Sequence, residues 1–403
     1  MAAAFLALAA FGFLNVVNVV RPVRLPTLAP VAFFAAWLTA ELAPQLAVLT
    51  VVATVLFCLF GGLSGIVGWI ALVLSALTVV GLLRLIAAAE AAAGIADSAL
   101  ADVCDPSTPV EPTSWLRRFF VPMSFRHPDV ERVVDVSYGD ASPRHKLDVY
   151  RRRDRPTGCP TLVQVHGGGW VIGDKREQGR PLMLHLAARG WVCFAPNYRR
   201  SPRATWPDHV VDVKRVIAWV REHGEDYGAD PGFLVLTGGS AGGHLVAMAA
   251  LTANDPRYQP GFEDSDTSVA GCVPYYGVYD LVGETGTSMA RVRRRSLLER
   301  MVMKTADEQA YADASPLEVV KRAVDAPPFL VIHGQNDTLV PVVEARLFVQ
   351  RLRELSQQPV CYIELPGTQH AFDVFPSIRS AHVVRAVARF VEQLRVREGV
   401  REA

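Results

Sequence analysis

Residues 238–242 of the chain read Gly-Gly-Ser-Ala-Gly, with a strand-like apolar run before them and an apolar helical run after them. A strand, a Gly-x-Ser-x-Gly turn and a helix in this order predict a tight turn that exposes the serine hydroxyl. Gly238 and Gly242 lie where a Cβ would crowd the turn, and we expect them to adopt backbone angles that only glycine takes without cost. Ser240 is therefore the candidate nucleophile.

A second glycine-rich segment, His-Gly-Gly-Gly-Trp at residues 166–170, follows another strand-like run. A serine that attacks an acyl carbonyl forms a tetrahedral oxyanion, which backbone N–H groups stabilise best where no side chain blocks them. We expect Gly168, Gly169 and Ala241 to donate these N–H groups, and His166 to brace the loop by hydrogen bonding. The alternative, a nucleotide-binding turn, is disfavoured because the phosphate-loop lysine motif and the Gly-x-Gly-x-x-Gly spacing are absent from this segment.

A serine hydroxyl also needs a base that takes its proton, and that base needs an orienting acid. Two loops after strand-like runs supply candidates: Asp337 follows residues 328–332, and His370 follows residues 360–365. The chain order Ser240, Asp337, His370 is that of α/β-hydrolases. We therefore predict a Ser-His-Asp triad from these three residues.

Other side chains compete for these roles. Asp280 is the rival acid, and we prefer Asp337 because it follows the penultimate strand-like run. We expect His244, one turn after Ser240, to pack beneath the turn, and His333 to make a structural hydrogen bond. The remaining histidines lie in predicted helices or early strands, where a general base is not expected: His127, His145, His185, His209, His223 and His382.

Two more segments, Asn-Tyr-Arg at residues 197–199 and Trp-Pro-Asp at residues 206–208, complete a joint pattern. Together with the two glycine-rich segments and the acid and histidine loops, they resemble the hormone-sensitive-lipase-like esterases of the α/β-hydrolase superfamily, over about residues 130–398. The resemblance implies hydrolysis of carboxylic esters through an acyl-enzyme intermediate. The chain departs from the family at Gly239, where members commonly carry an acidic residue. Its acid motif, Asp-Thr-Leu after Asn336 instead of Asp-Pro-Leu, is closer to acetyl-esterase and feruloyl-esterase-like relatives.

The coarse pattern agrees with that fold class. From residue 130 to residue 403, β-type and helical segments alternate, which predicts an α/β domain with a mostly parallel sheet and helices on both faces. In such sheets, sites form at the carboxyl ends of the strands. The stretch 281–315 interrupts the alternation, and we expect it to be a partial lid. Its basic cluster at residues 291–295 is interpreted as a solvated helix face.

The first 90 residues are different in nature, because Glu41 is the only charged side chain between Arg24 and Arg84. About 20 apolar residues suffice to span a bilayer. We therefore predict an all-α transmembrane region, with helices near residues 3–20, within residues 28–60 and near residues 65–86. The middle run is interrupted at Glu41, so it is either one broken span or a hairpin, which gives three or four spans.

The membrane orientation follows from the basic residues. Arg21 and Arg24 favour a cytoplasmic loop after the first helix; three spans would then leave the catalytic domain in the cytoplasm, and four would export it. Residues 91–129 are expected to be a linker, in which Trp115–Val121 could lie at the membrane interface or cap the site. We expect the membrane region and the hydrolase to be separable.

Composition limits the partners. With 41 Lys and Arg against 40 Asp and Glu, the 403-residue chain is near neutral, which argues against nucleic acid as its main partner. The six cysteines are scattered and show no metal-ligand spacing, so we expect no metal and no cofactor. The resulting hypothesis is a membrane-anchored serine esterase of a bacterial cell membrane, acting on small-molecule or lipid esters with short to medium acyl chains. The alternatives are an arylformamidase-like amidase and a non-catalytic membrane-bound binding module.

Overall fold

The computed structural model describes residues 1–25, 27–104, 126–139, 143–323 and 325–402. The segment Trp115–Val121, with its expected interfacial or capping role, lies outside these residues. The described part contains one eight-stranded sheet with flanking helices, and a group of apolar helices at the N-terminal end.

The strands are β1 Val130–Ser137, β2 Lys146–Arg152, β3 Cys159–Val165, β4 Val192–Pro196, β5 Ala229–Gly239, β6 Gly271–Tyr275, β7 Phe329–Gly334 and β8 Val360–Leu365. Their order in the sheet is β1-β2-β4-β3-β5-β6-β7-β8. Strands β1 and β2, and strands β2 and β4, pair antiparallel; the other neighbours pair parallel. The carboxyl ends of β3, β5, β7 and β8 therefore meet at one edge, as the sequence predicted.

Helices cover both faces of the sheet. Every residue of β3 is buried, because a parallel strand covered on both faces needs no polar side. The covering helix at residues 208–223 turns its valines and Ile217 inward at helical spacing, as predicted. The helices of this part are α5 Arg180–Ala187, α6 Asp208–His223, α7 Ala241–Leu251, α8 Ser288–Arg293, α9 Glu308–Asp313, α10 Pro316–Val319, α11 Val342–Leu355 and α12 Ile378–Glu402.

The insertion at residues 281–315 contains α8, a π-helical segment at Arg294–Val302, and α9. Its basic cluster is only partly a solvated face. Arg293 is buried and forms a 2.7 Å ion pair with the buried Glu344, and the guanidinium of Arg294 lies 4.3 Å from the centre of the Tyr311 ring. Arg293 therefore anchors the insertion to the domain, and Arg294 joins two parts of the insertion to each other.

The N-terminal helices are α1 Ala2–Val20, α2 Ala29–Glu41, α3 Ala43–Leu59 and α4 Gly65–Leu100. Among the residues that the structure describes, α1 and α4 are each long and apolar enough to cross a membrane. Helices α2 and α3 meet that criterion only as a pair, and the pair is bent by 87° at its break.

Helices α1 and α4 run in the same direction. A Cβ on Gly12 would lie 3.3 Å from Thr78, and one on Gly81 would lie 2.4 Å from Val16, so contacts advance along both helices together. Helix α3 runs the opposite way, because Phe57 near its end stacks at 4.9 Å on Phe5 near the start of α1. The ends of α1 and α4 thus lie at the same end of the helical group.

Helix α4 continues to Leu100, so the first ten residues of the predicted linker are helical. Ala92, Ala96 and Leu100, spaced four residues apart on one face, are buried in the same apolar cluster as side chains of β8 and α12. The carboxylate of Asp97 also pairs with Arg389 on α12. The alanine-rich composition reflects a helix that packs closely on the domain.

This packing predicts that Leu100→Ala destabilises the full-length protein by about 2–4 kcal/mol, because it leaves a cavity beneath α12. Leu83→Ala is the matched control: Leu83 lies on the same helix but is 55% exposed. Thermal unfolding in detergent should show a lower Tm for Leu100→Ala alone. Equal Tm values for both variants would contradict the shared core.

Candidate active site

Ser240 occupies the turn between β5, which ends at Gly239, and α7, which begins at Ala241. Its backbone angles are φ 58° and ψ −120°, a conformation that is strained for a residue with a Cβ. The Ser240 N–H donates to the carbonyl of Tyr275 at 3.0 Å. The side chain is half-buried, so the hydroxyl lies at a partly open surface, as expected for a nucleophile at such a turn.

The glycines of this turn are required for space and not for backbone angle. Gly238 and Gly242 do not have positive φ, so the expectation of glycine-specific angles at these two positions was wrong. A Cβ on Gly242 would lie 2.2 Å from the carbonyl oxygen of Val165, and one on Gly238 would lie 2.7 Å from the same atom. The strained backbone angles are instead those of Ser240 itself, because close contacts with β3 restrict the chain on both sides of it.

The glycine loop after β3 lies directly against Ser240, the candidate nucleophile. A Cβ on Gly167 would be 3.0 Å from the Cβ of Ser240. Gly168 and Gly169 have φ values of 109° and 57°, which favour glycine. Ala241 is the first residue of α7, so its N–H has no acceptor four residues back within the helix. These N–H groups remain the candidates for the oxyanion hole.

His166 makes the contacts of a bracing residue. Its Nδ1 lies 2.7 Å from the carbonyl of Gly167, and its ring stacks at 4.5 Å on Tyr198. The Tyr198 hydroxyl donates to the His166 carbonyl at 3.2 Å. Burial lowers the pKa of His166 to about 4, so the ring is neutral at pH 7 and fixes the loop without adding charge.

Asp337 and His370, predicted as acid and base, are brought together by the ends of β7 and β8. Nδ1 of His370 lies 2.6 Å from Oδ2 of Asp337. The other carboxylate oxygen accepts the N–H groups of Leu339 and Val340 at 2.9 and 2.8 Å. Burial raises the pKa of Asp337, but the neighbouring His370 and His333 outweigh burial and keep that pKa well below its usual range.

Tyr276 links this pair to the serine turn. A Cβ on Gly239 would lie 2.7 Å from the Tyr276 hydroxyl oxygen, and the Tyr276 ring centre is 4.4 Å from that of His370. Tyr276 therefore fills the space next to Gly239, the position at which the resembling esterases commonly carry an acid. Its hydroxyl donates to Asp373, a second buried carboxylate three residues after the histidine.

Sequence reasoning missed Tyr276 and Asp373. Asp373 had a weak signal in its closeness to His370 along the chain. Tyr276 had none, because it reaches the site only through the pairing of β6 with β5 and β7.

The rival candidates have structural roles. Asp280 accepts the backbone N–H groups of Gly283, Glu284 and Thr285 and thereby fixes the start of the insertion. Nε2 of His333 lies 2.9 Å from the carbonyl of Val340. His244 takes part in two contacts beneath the turn, accepting from Trp170 Nε1 at 3.3 Å and contacting the Ala314 carbonyl at 2.8 Å.

Apolar side chains from two other regions border the site. Leu297 of the insertion lies 3.5 Å from the place of a Cβ on Gly169, which supports the lid interpretation. Phe33 of α2 lies with its ring centre 6.2 Å from that of His370 in an edge-on arrangement. Sequence reasoning did not place any N-terminal helix at the site. Within the described ranges, no cluster of three or more His, Cys, Asp or Glu side chains has the arrangement of a metal site.

Comparison with known proteins identifies the family. The BD-FAE family profile matches residues 147–352, half of the chain. The chain belongs to the BD-FAE family. The match includes the glycine loop, Ser240 and Asp337 and ends before His370.

Similar proteins support the same fold. The probable carboxylic ester hydrolase LipM of Mycobacterium tuberculosis is 54% identical over 265 residues, which cover 64% of this chain and 61% of LipM. Esterase B of Lactobacillus rhamnosis shares the fold with a TM-score of 0.58 at 22% identity, covering 78% of this chain and 99% of its own. A thermophilic esterase of Thermogutta terrifontis, solved with butyrate bound, has a TM-score of 0.54 at 25% identity and covers 66% and 95%. The predicted α/β-hydrolase fold and the esterase resemblance are confirmed.

The assignment of Asp337 as the acid of the proposed triad can be tested by substitution. Asp337→Asn should lower kcat by about 10³–10⁴-fold, because the amide favours the wrong histidine tautomer. Asp280→Asn is the comparison variant: it should lower Tm while leaving the rate per folded molecule within about threefold of the unmutated protein. The opposite pattern in ester hydrolysis and thermal unfolding would assign the acid to Asp280.

Asp373 predicts a pH dependence of stability. Burial raises its pKa to about 6, from an ordinary value of 3.8. The folded state therefore binds the proton more tightly than the unfolded state, and the stability falls as the pH rises through this window. Asp373→Asn stays neutral and still accepts from Tyr276, so the variant's stability advantage should be small at pH 4 and grow to roughly 3 kcal/mol by pH 7. Tm values of both proteins across pH 4–8 measure this, and a gap that does not change with pH would contradict it.

Proposed function

We propose that this protein is a membrane-anchored serine esterase that hydrolyses carboxylic esters with short to medium acyl chains. The observation that carries the proposal is the 2.6 Å Asp337–His370 pair at the same sheet edge as the strained Ser240. LipM, at 54% identity, is described as a probable carboxylic ester hydrolase, and the family match supports the same chemistry.

In the proposed mechanism the Ser240 hydroxyl attacks the acyl carbonyl while Nε2 of His370 takes its proton. Asp337 accepts from Nδ1, which leaves Nε2 free as the base. The N–H groups of Gly168, Gly169 and Ala241 stabilise the oxyanion. The alcohol leaves with the proton from His370, and water then attacks the acyl-serine with the same base, so that one acid and one alcohol are released per water consumed.

The surroundings of the site suit an apolar acyl chain. Leu297 and Phe33 border it from opposite parts of the chain, and both are hydrocarbon surfaces. The Thermogutta terrifontis esterase was solved with butyrate bound, which supports a short acyl chain here. Small-molecule esters and esters dissolved in a membrane both fit this description.

We propose three membrane crossings, by α1, by α4 and by α3, whose 17 residues reach the lower limit of length for a span. Helix α2 has 13 residues, or about 20 Å, which is shorter than the roughly 30 Å hydrocarbon core, and it turns away from α3 by 87°. We therefore place α2 along the membrane surface at the end that carries the catalytic domain. This arrangement is proposed in place of the predicted broken span or hairpin.

Three crossings put the catalytic domain and the loop after α1 on one side of the membrane. That loop carries Arg21 and Arg24, and basic loops favour the cytoplasmic side. We propose that the catalytic domain faces the cytoplasm. The amino terminus of α1 then lies on the opposite side.

The central test is Ser240→Ala in the full-length protein. Removing the nucleophile should lower ester hydrolysis by several orders of magnitude and abolish labelling by a fluorophosphonate, with little change in Tm because only one oxygen is lost, at a partly open surface. Retained activity within about tenfold of the unmutated protein would overturn the assignment.

Assays of the unmutated full-length protein distinguish the alternative functions. An esterase should cleave p-nitrophenyl esters much faster than N-formylkynurenine, and an arylformamidase-like amidase should show the reverse preference. A binding module should cleave neither and should not react with the fluorophosphonate.

A further inference from the structure

Helix α2 contacts the loop that carries the catalytic histidine. We call residues 366–377, which join β8 to α12, the histidine loop. The indole N–H of Trp37 donates to the carbonyl of Ala371 at 2.9 Å. Ala371 directly follows His370 and has a φ of 57°, an unfavourable conformation for alanine that its surroundings must stabilise.

Two further residues on the same face of α2 reach this region. Residues 33, 37 and 41 are spaced four apart and therefore share one helix face. Phe33 lies edge-on to His370, and the carboxylate of Glu41 accepts from the Ser377 hydroxyl at 2.6 Å. Trp37 also stacks on Phe375, with ring centres 4.8 Å apart. The face thus follows the histidine loop from its catalytic residue to its end.

A buried ion pair fixes the position of α2. Glu41 pairs with Arg379, and both side chains are 1% exposed. Breaking such a pair leaves an uncompensated buried charge, which is strongly unfavourable. Helix α2 is therefore held on the domain at one register.

The acid loop receives a similar contact from α1. The side-chain amide of Asn336, the residue directly before Asp337, donates to the carbonyl of Val19 at 2.8 Å. Broad apolar packing between the two regions is already supplied by α4 against α12 and β8. The contacts of α1 and α2 are instead directed at the two loops that carry the His-Asp pair.

We infer that Trp37 is a positioning residue for His370, so that the N-terminal helical region completes the catalytic centre. The inference rests on the proposed serine esterase function. By accepting the indole N–H, the Ala371 carbonyl fixes the peptide that follows His370, and with it the direction of Nε2 toward Ser240. Misplacement of a catalytic group by about 1 Å can lower a rate by 10²-fold, and His370 acts in both acyl-transfer steps.

The test is Trp37→Phe in the full-length protein in detergent, with Trp69→Phe as the matched control. Phenylalanine retains an aromatic ring against Phe375 and removes the N–H donor. Trp69 lies on α4 and is 57% exposed. Fluorophosphonate labelling counts the active sites, and p-nitrophenyl butyrate gives kcat per labelled site and KM.

We expect kcat per site to fall about tenfold in Trp37→Phe. KM and the number of labelled sites should stay within about twofold of the unmutated protein, and Tm within a few degrees of it. Trp69→Phe should behave as the unmutated protein. An unchanged kcat per site in Trp37→Phe overturns the inference. Fewer labelled sites with an unchanged rate per site also overturn it, because the role of Trp37 would then be structural.

A second pair of variants covers the case in which Trp37→Phe does not fold. Phe33→Leu removes the ring beside His370, and Phe34→Leu changes a neighbour that is 56% exposed. A lower kcat per site in Phe33→Leu alone supports the participation of α2, and equal rates contradict it. An unmutated protein that neither reacts with the fluorophosphonate nor cleaves the ester would overturn the proposed function as well, which distinguishes the two failures.

Discussion

The close approach between β3 and the turn that follows β5 is the constraint on which the rest of the site depends. The carbonyl of Val165 lies so near Gly238 and Gly242 that neither position has room for a Cβ. This contact places the glycine loop against Ser240 and forces the serine into its strained backbone conformation. Strain of this kind costs of the order of 1–3 kcal/mol and persists only where the surroundings over-determine it. Here β5, α7 and the neighbouring strands supply that rigidity.

The residues of the proposed triad could be predicted because each has a local signal. Ser240, Asp337 and His370 all follow a strand-like run, and parallel strands bring their carboxyl ends to one edge. Tyr276 and Trp37 could not be predicted in this way, because their contacts join residues 97 and 334 positions apart. Glu41 gave an indirect signal: a single carboxyl group in a long apolar region needs a partner when it is buried, although the sequence did not say that the partner is Arg379.

Composition was a poor guide to the boundary between the two regions. Alanine-rich sequence after residue 90 suggested a linker, yet alanines four residues apart are also what a helix needs for close packing on another helix. Helix α4 belongs to both regions, since its first part is apolar and exposed and its last turns complete the core beneath α12. The expectation that the hydrolase is separable from the helices therefore has no support in the packing. Removing α4 would expose the apolar surface of β8 and α12.

The histidine loop is restrained from both regions. On the side of the sheet, Tyr276 donates to Asp373; on the side of the N-terminal helices, Trp37 donates to the carbonyl of Ala371. Both restraints act within three residues of His370, which in the proposed mechanism exchanges a proton with Ser240 and with the leaving alcohol. Because α2 lies between this loop and the apolar helices, the proposed general base and the proposed membrane surface share one structural element. An ester dissolved in the bilayer would thus reach the site at α2, the same helix that we infer to position His370. The bilayer would also raise the local concentration of such an ester at that helix.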